Sequence, residues 1–77
     1  MGVKVYFSPT CPHCNKLLRW LGEKGVKFES VDVSEDKQAA KEMIDKSGEY
    51  LVPVVDVNGQ VVTGFKEKEL KKLLKIK

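Results

Sequence analysis

A chain of 77 residues, 42% apolar and 32% charged, has the composition of one folded unit, residues 1–77 read as a single domain, rather than of a disordered tail. A unit this small buries only about 60% of its unfolded-chain surface, so a few core positions must carry the fold. The net charge of +3 traces to the lysines of "FKEKELKKLLKIK", which oppose a helix dipole; they lack the interleaved aromatics of a nucleic-acid surface, and no run reaches the roughly 18 apolar residues of a membrane span.

"MGVKVYF" lacks the long apolar core and cleavage site of a secretion signal, so the expected location is the cytoplasm. The run Val3 to Ser8, β-branched and aromatic, predicts a first strand closed by Ser8-Pro9. From Pro12 a helical period begins, with Cys14, Leu17, Leu18 and Leu21 on one face and Gly22 or Gly25 at its end. Thr10 is the expected cap, and Pro12 suits a first turn, where its missing N–H is not needed.

Lys27 to Val33 reads as a second strand, and Ser34 as the cap of a second helix that runs to about Ser47, with Ala40, Met43 and Ile44 as its stripe and Gly48 as its stop. "YLVPVVDV" and "QVVTGF" follow, joined by Asn58-Gly59, a strong signal for a two-residue hairpin. A last helix from Lys66 places Leu70, Leu73 and Leu74 together. The order β-α-β-α-β-β-α predicts a parallel βαβ unit extended by an antiparallel hairpin, an α/β fold with a four-stranded mixed sheet and three helices. Cys11 then lies at the C-terminal end of the first strand, the rim where open α/β sheets place their chemistry.

The chain has two cysteines, in "TCPHC". A bridge between Cys11 and Cys14 closes almost no loop, which makes a structural staple a weak reading. A zinc site within one chain lacks ligands, since only His13 stands near the pair. Metal or iron–sulfur binding by a dimer that pools the cysteines stays open, as does an inert buried pair. The redox reading rests on inequality. A helix N-terminus favours the thiolate of a cysteine placed there, and Cys11 holds that position, whereas Cys14 falls on the leucine face and is shielded. Cys11 is then the nucleophile and Cys14 the resolving thiol, with Pro12 stiffening the turn and His13 stabilising charge near the Cys11 sulfur so that the pair is more oxidising. Trp20 and Met43 read as packing residues.

With "VYFSPTCPHC", "VDVSED" and "LVPVVDVNGQVVTGF" in this order, nearly the whole chain resembles a glutaredoxin, a small member of the thioredoxin-fold superfamily. The resemblance implies a thiol–disulfide oxidoreductase acting on protein disulfides or glutathione mixed disulfides, as a monomer and without a bound cofactor. It implies a cis Pro53 facing the cysteines, a Val52 backbone that pairs with substrate, and a Gly64-Phe65 loop at the substrate rim. Two departures concern the electron donor. Ser8 stands where glutathione-using relatives carry lysine, and Gly64-Phe65-Lys66 replaces their Gly-Gly and acidic opening of the last helix. "TGFK" is similar instead to the Ser-Gly-Phe-Arg stretch of glutaredoxin-like redoxins that serve ribonucleotide reductase and are recharged by thioredoxin reductase, although Val62 replaces their tryptophan. Either glutathione, as co-substrate, or a reductase of that type is the expected partner, with the reductase favoured.

Overall fold

Side chains alternate across β1 (Val3–Phe7), and both faces of this strand are covered: Val5 and Tyr6 are each fully buried, on opposite sides. The computed structural model describes residues 2–76. In it β1 runs parallel to β2 (Glu29–Asp32) and antiparallel to β3 (Val54–Val57), and β3 pairs antiparallel with β4 (Gln60–Thr63), giving the order β2-β1-β3-β4. This is the expected four-stranded mixed sheet. Val5 packs with Leu17 and Leu21 of α1 (Pro12–Glu23) and Leu70 of α3 (Glu67–Leu74). Tyr6 packs with Ala39 and Met43 of α2 (Lys37–Ser47), so α1 and α3 cover one face of the sheet and α2 the other. Leu70 is the wholly buried residue of α3, and its burial, about 2 kcal/mol, does much to hold that helix on the sheet.

The helices form where the periodicity puts them, but their starts differ. Cys11, not Thr10, caps α1, because its sulfur accepts the Cys14 N–H while the Thr10 hydroxyl sits 3.2 Å from that of Ser8. Asp36, not Ser34, caps α2 by accepting the Ala39 N–H at 3.1 Å; Ser34 spends both its N–H and its hydroxyl on the Asp32 carboxylate. The helix α1 passes through Gly22, and Gly25, at φ 72°, takes the left-handed position after it. In α2 the buried stripe is Ala39 and Met43, and Ile44 is 38% exposed.

The strand expected from Tyr50 begins only at Val54. The Val52–Pro53 peptide is cis, as the resemblance implies, and Pro53 has no N–H for a ladder, so Tyr50 and Leu51 remain outside the sheet. Asn58 and Gly59 both have positive φ, as a two-residue hairpin turn requires.

On the α2 face the buried Tyr6 hydroxyl accepts from Lys46 Nζ at 3.0 Å, and the same ammonium donates to Asp56 at 2.6 Å. Burial pushes the Asp56 carboxyl up, yet the donors Lys46 and Gly59 outweigh it and hold the group below the ordinary 3.8. A carboxylate so lowered stabilises the fold above that value and loses the contribution as pH falls below it. Lys46→Met should therefore cost about 1–2 kcal/mol at neutral pH, mostly from the stranded Tyr6 hydroxyl and Asp56 carboxylate. In urea unfolding the gap between the two proteins should narrow as pH drops below 3.8; a gap that is constant with pH refutes the coupling.

Candidate active site

The chain leaves β1 at Phe7 and turns through Ser8 to Cys11, whose N–H returns to the Ser8 carbonyl at 3.1 Å. This turn sets Cys11 in extended backbone at the N-cap of α1, with its sulfur 3.3 Å from the Cys14 N–H. The Cys11 thiol also points to the Val52 carbonyl, at 3.9 Å. Both cysteines are free thiols; Cys11 is half-buried and Cys14 fully buried. Burial first, then the hydrogen bond and charge of Cys11, push the Cys14 thiol from an ordinary 9.0 up to about 12, against a smaller pull from the Ser8 backbone. The expected asymmetry is present in the geometry: one sulfur in reach of solvent and faced by a backbone donor, the other sealed in the core a helical turn later.

Pro12 takes the first position of α1 and is exposed. His13 is exposed as well, and among the described residues the hydrogen bonds at Cys11 sulfur involve Cys14 and Val52, not His13. His13 instead lines a groove of about 460 Å³. Its other lining residues are Lys16 from α1 and, facing them, Leu51, Val52, Pro53, Gly64 and Phe65. The four residues expected at the substrate rim thus share one groove; Cys11 does not line it and adjoins it through the Val52 carbonyl. Pro53 is buried, and its carbonyl accepts the Gly64 N–H at 2.7 Å, which ties the loop after β4 to the turn before β3. Gly64 has φ 79°, and a Cβ there would meet nothing within 4 Å, so backbone conformation and not space calls for glycine. Phe65 is met edge-on by Trp20 of α1, with ring centroids 5.7 Å apart.

Sequence reasoning missed Lys16 and Leu51. Lys16 lies one turn beyond His13 on the same side of α1, a spacing readable in advance; that this side faces the groove is not. Leu51 signals itself only through exposure, at 44% of its surface. Among the described residues no three His, Cys, Asp or Glu side chains gather in a way that suits a metal ion, and no helix is long and apolar enough to cross a membrane.

An accessible sulfur backed by a buried partner, next to an open groove, is suited to thiol–disulfide exchange. Residues 3–62 match the family model of glutaredoxin. The chain belongs to the glutaredoxin family. It is 36% identical over 72 residues to an uncharacterized glutaredoxin-like 8.6 kDa protein in the rubredoxin operon of Clostridium pasteurianum, covering 94% of this chain and 96% of that protein. It superposes on the crystal structure of a glutaredoxin from Archaeoglobus fulgidus with a TM-score of 0.87 and 36% identity, over 95% of this chain and 85% of that one. The glutaredoxin-like NrdH-redoxin of Escherichia coli matches with a TM-score of 0.84 and 25% identity over 95% of each chain. Membership supports a thiol–disulfide oxidoreductase in the general sense.

The raised Cys14 value has a consequence for this glutaredoxin's stability. A group whose folded value lies above its unfolded one stabilises the fold below the unfolded value and loses that contribution as pH rises through the folded one. The reduced protein should lose on the order of a few kcal/mol between pH 9 and about 12, at roughly 1.4 kcal/mol per pH unit for one proton. Lysine titration also contributes in this range, so the comparison is with Cys14→Ala: denaturant midpoints of the two reduced proteins should converge as pH rises, and parallel curves refute the assignment.

Proposed function

We propose that this glutaredoxin reduces protein disulfides, or glutathione mixed disulfides, by a dithiol route in which Cys11 attacks and Cys14 resolves. The observation that carries this reading is the cap of α1, where the one cysteine within reach of solvent receives the backbone N–H of the buried one. The Cys11 thiolate attacks one sulfur of the substrate; a Cys11–substrate bond forms, the substrate bond breaks, and the departing thiolate takes up a proton. Cys14 then gives up its proton and attacks the Cys11 sulfur. The Cys11–Cys14 bond forms and the second substrate thiol leaves, so two electrons pass from the dithiol to the substrate. Negative charge developing on Cys11 meets the Cys14 N–H, a donor already in place. The burial that disfavours Cys14 thiolate keeps this thiol from reacting with outside disulfides until Cys11 presents one within reach.

Val52 and Pro53 form the docking edge. The β1–β3 ladder ends at Tyr6 and Val54, so the backbone of Val52 extends past the last rung, open to a substrate strand. Phe65 supplies an apolar contact, and Pro12 and His13 modulate the pair. The electron donor is a thioredoxin-reductase-type enzyme rather than glutathione. Ser8 supplies no cation for a glutathione carboxylate, "TGFK" departs from the glutathione pattern, and the related Escherichia coli NrdH-redoxin is described as having a thioredoxin-like activity profile.

Cys11→Ser should lower insulin disulfide reduction by at least about a hundredfold, since only a thiolate can attack. Cys14→Ser should accumulate a mixed disulfide with substrate, seen as an adduct by mass spectrometry under non-reducing conditions. Full activity in Cys11→Ser overturns the reading. For the donor, the oxidised protein is offered NADPH with thioredoxin reductase, or NADPH with glutathione and its reductase. Faster recycling by the first is expected, and faster recycling by the second reverses the assignment of donor.

A further inference from the structure

We infer that Lys16 makes the groove a reader of negative charge, so that the disulfides reduced here are carried on extended protein segments with acidic residues beside the attacked cysteine. The inference rests on the oxidoreductase reading above and adds its substrate class. The two walls of the groove differ in kind. The α1 wall offers His13 and Lys16, and the facing wall, Leu51 to Pro53 with Phe65, is apolar apart from its backbone. No carboxylate lines the groove, and Lys16 enters none of the ion pairs found among the described residues, which join Lys4 to Glu42, Lys46 to Asp56 and Lys71 to Glu67. Its ammonium is therefore left for a ligand. The first turn of α1 carries no acidic residue either, so the positive end of the helix dipole acts in the same direction.

The shape of the apolar side favours a protein segment over a small thiol. Tyr50 and Leu51, 59% and 44% exposed, continue the apolar strip of the groove along the chain that leads into Val52. That stretch lies beyond the last rung of β3 and carries backbone groups outside the sheet. A partner laid along it in extended form can pair with the Val52 backbone, cover Leu51 and Tyr50 with apolar side chains, and bring a carboxylate across to Lys16.

The test is single-turnover reduction by the fully reduced protein, which needs no electron donor. Its substrates are peptides that share one intramolecular disulfide and differ only in Asp/Glu, Ser/Asn or Lys at the flanking positions, with oxidised glutathione as the small-thiol arm. At low salt the acidic peptide should react about threefold to fivefold faster than the neutral one, the size expected of a rim-exposed ion pair, and the lysine peptide slowest. The ranking should flatten at high salt, where screening shortens to a few ångströms. Lys16→Gln should remove it and Lys16→Glu reverse it, whereas Arg19→Gln, an exposed charge of α1 outside the groove, should leave it intact. Equal rates for all peptides, or a ranking that survives Lys16→Gln, overturns the inference while leaving the dithiol mechanism standing. If Lys16→Gln slows oxidised glutathione by the same factor as the acidic peptide, the site reads a small anionic thiol and the protein-segment assignment fails. If wild-type protein reduces no peptide faster than Cys11→Ser does, the oxidoreductase reading itself fails, and the inference with it.

Discussion

The N-terminus of α1 needs an acceptor for its free amides, and the Cys11 sulfur provides it. In a capped helix the side chain of the cap residue takes the amide of the second or third residue after it. Cys14 is that third residue, so the spacing of the two cysteines is the spacing of a helix cap and its donor. One hydrogen bond thereby ties together three things: where the helix begins, where the Cys11 sulfur sits, and that the residue supplying the donor is the second cysteine. A serine or aspartate cap would begin the helix equally well. Only cysteine joins this local requirement to exchange chemistry.

The groove depends on the sheet. Tyr6 pairs with Val54 at the last rung of β1 and β3, so the segment that follows β1 and the one that precedes β3 emerge at the same rim. Cys11 and Val52, far apart in sequence, meet there through a thiol–carbonyl contact. The hairpin of β3 and β4 then returns Gly64 to the Pro53 carbonyl, which places Phe65 on the same rim. None of these contacts is individually strong. They hold because the Val5, Val55 and Val62 positions beneath them are packed on Leu17, Leu21 and Leu70, and shifting a strand by one residue would turn those side chains to the wrong face.

Much of this was legible in the sequence, because periodicity reports burial: Leu17 and Leu21 in α1 and Leu70 in α3 stand on the faces the pattern gives them, and the hairpin turns at Asn58-Gly59. What escaped was decided by competition among nearby polar groups. Ser34 has the right chemistry for a cap, but the Asp32 carboxylate claims both of its donors, and Asp36 takes the role. Ile44 has the right hydropathy for the α2 stripe, yet Ala39 and Met43 face the sheet and leave it at the edge. Cys11 and Cys14 were readable because their neighbours along the chain create their setting. Lys16 was not, because its partners in the groove come from beyond residue 50 and reach it only through the folded sheet.

Trp20 completes this dependence on α1. It lies two turns beyond Pro12 in the same helix that presents Cys11, and its ring makes an edge-type contact with Phe65, which forms part of the opposite wall of the groove. Its Nε1 is buried without a partner, a cost of order 1–3 kcal/mol that the edge-on aromatic contact and the burial of the indole must offset. The helix that presents Cys11 thus also supports the far side of the groove. Because α1 is one rigid element, seated by Leu17 and Leu21, the spacing between Cys11 and the His13–Lys16 wall follows from packing beneath the site, whereas the facing wall is carried by the segments that flank β3 and β4 and are joined by the Gly64–Pro53 hydrogen bond.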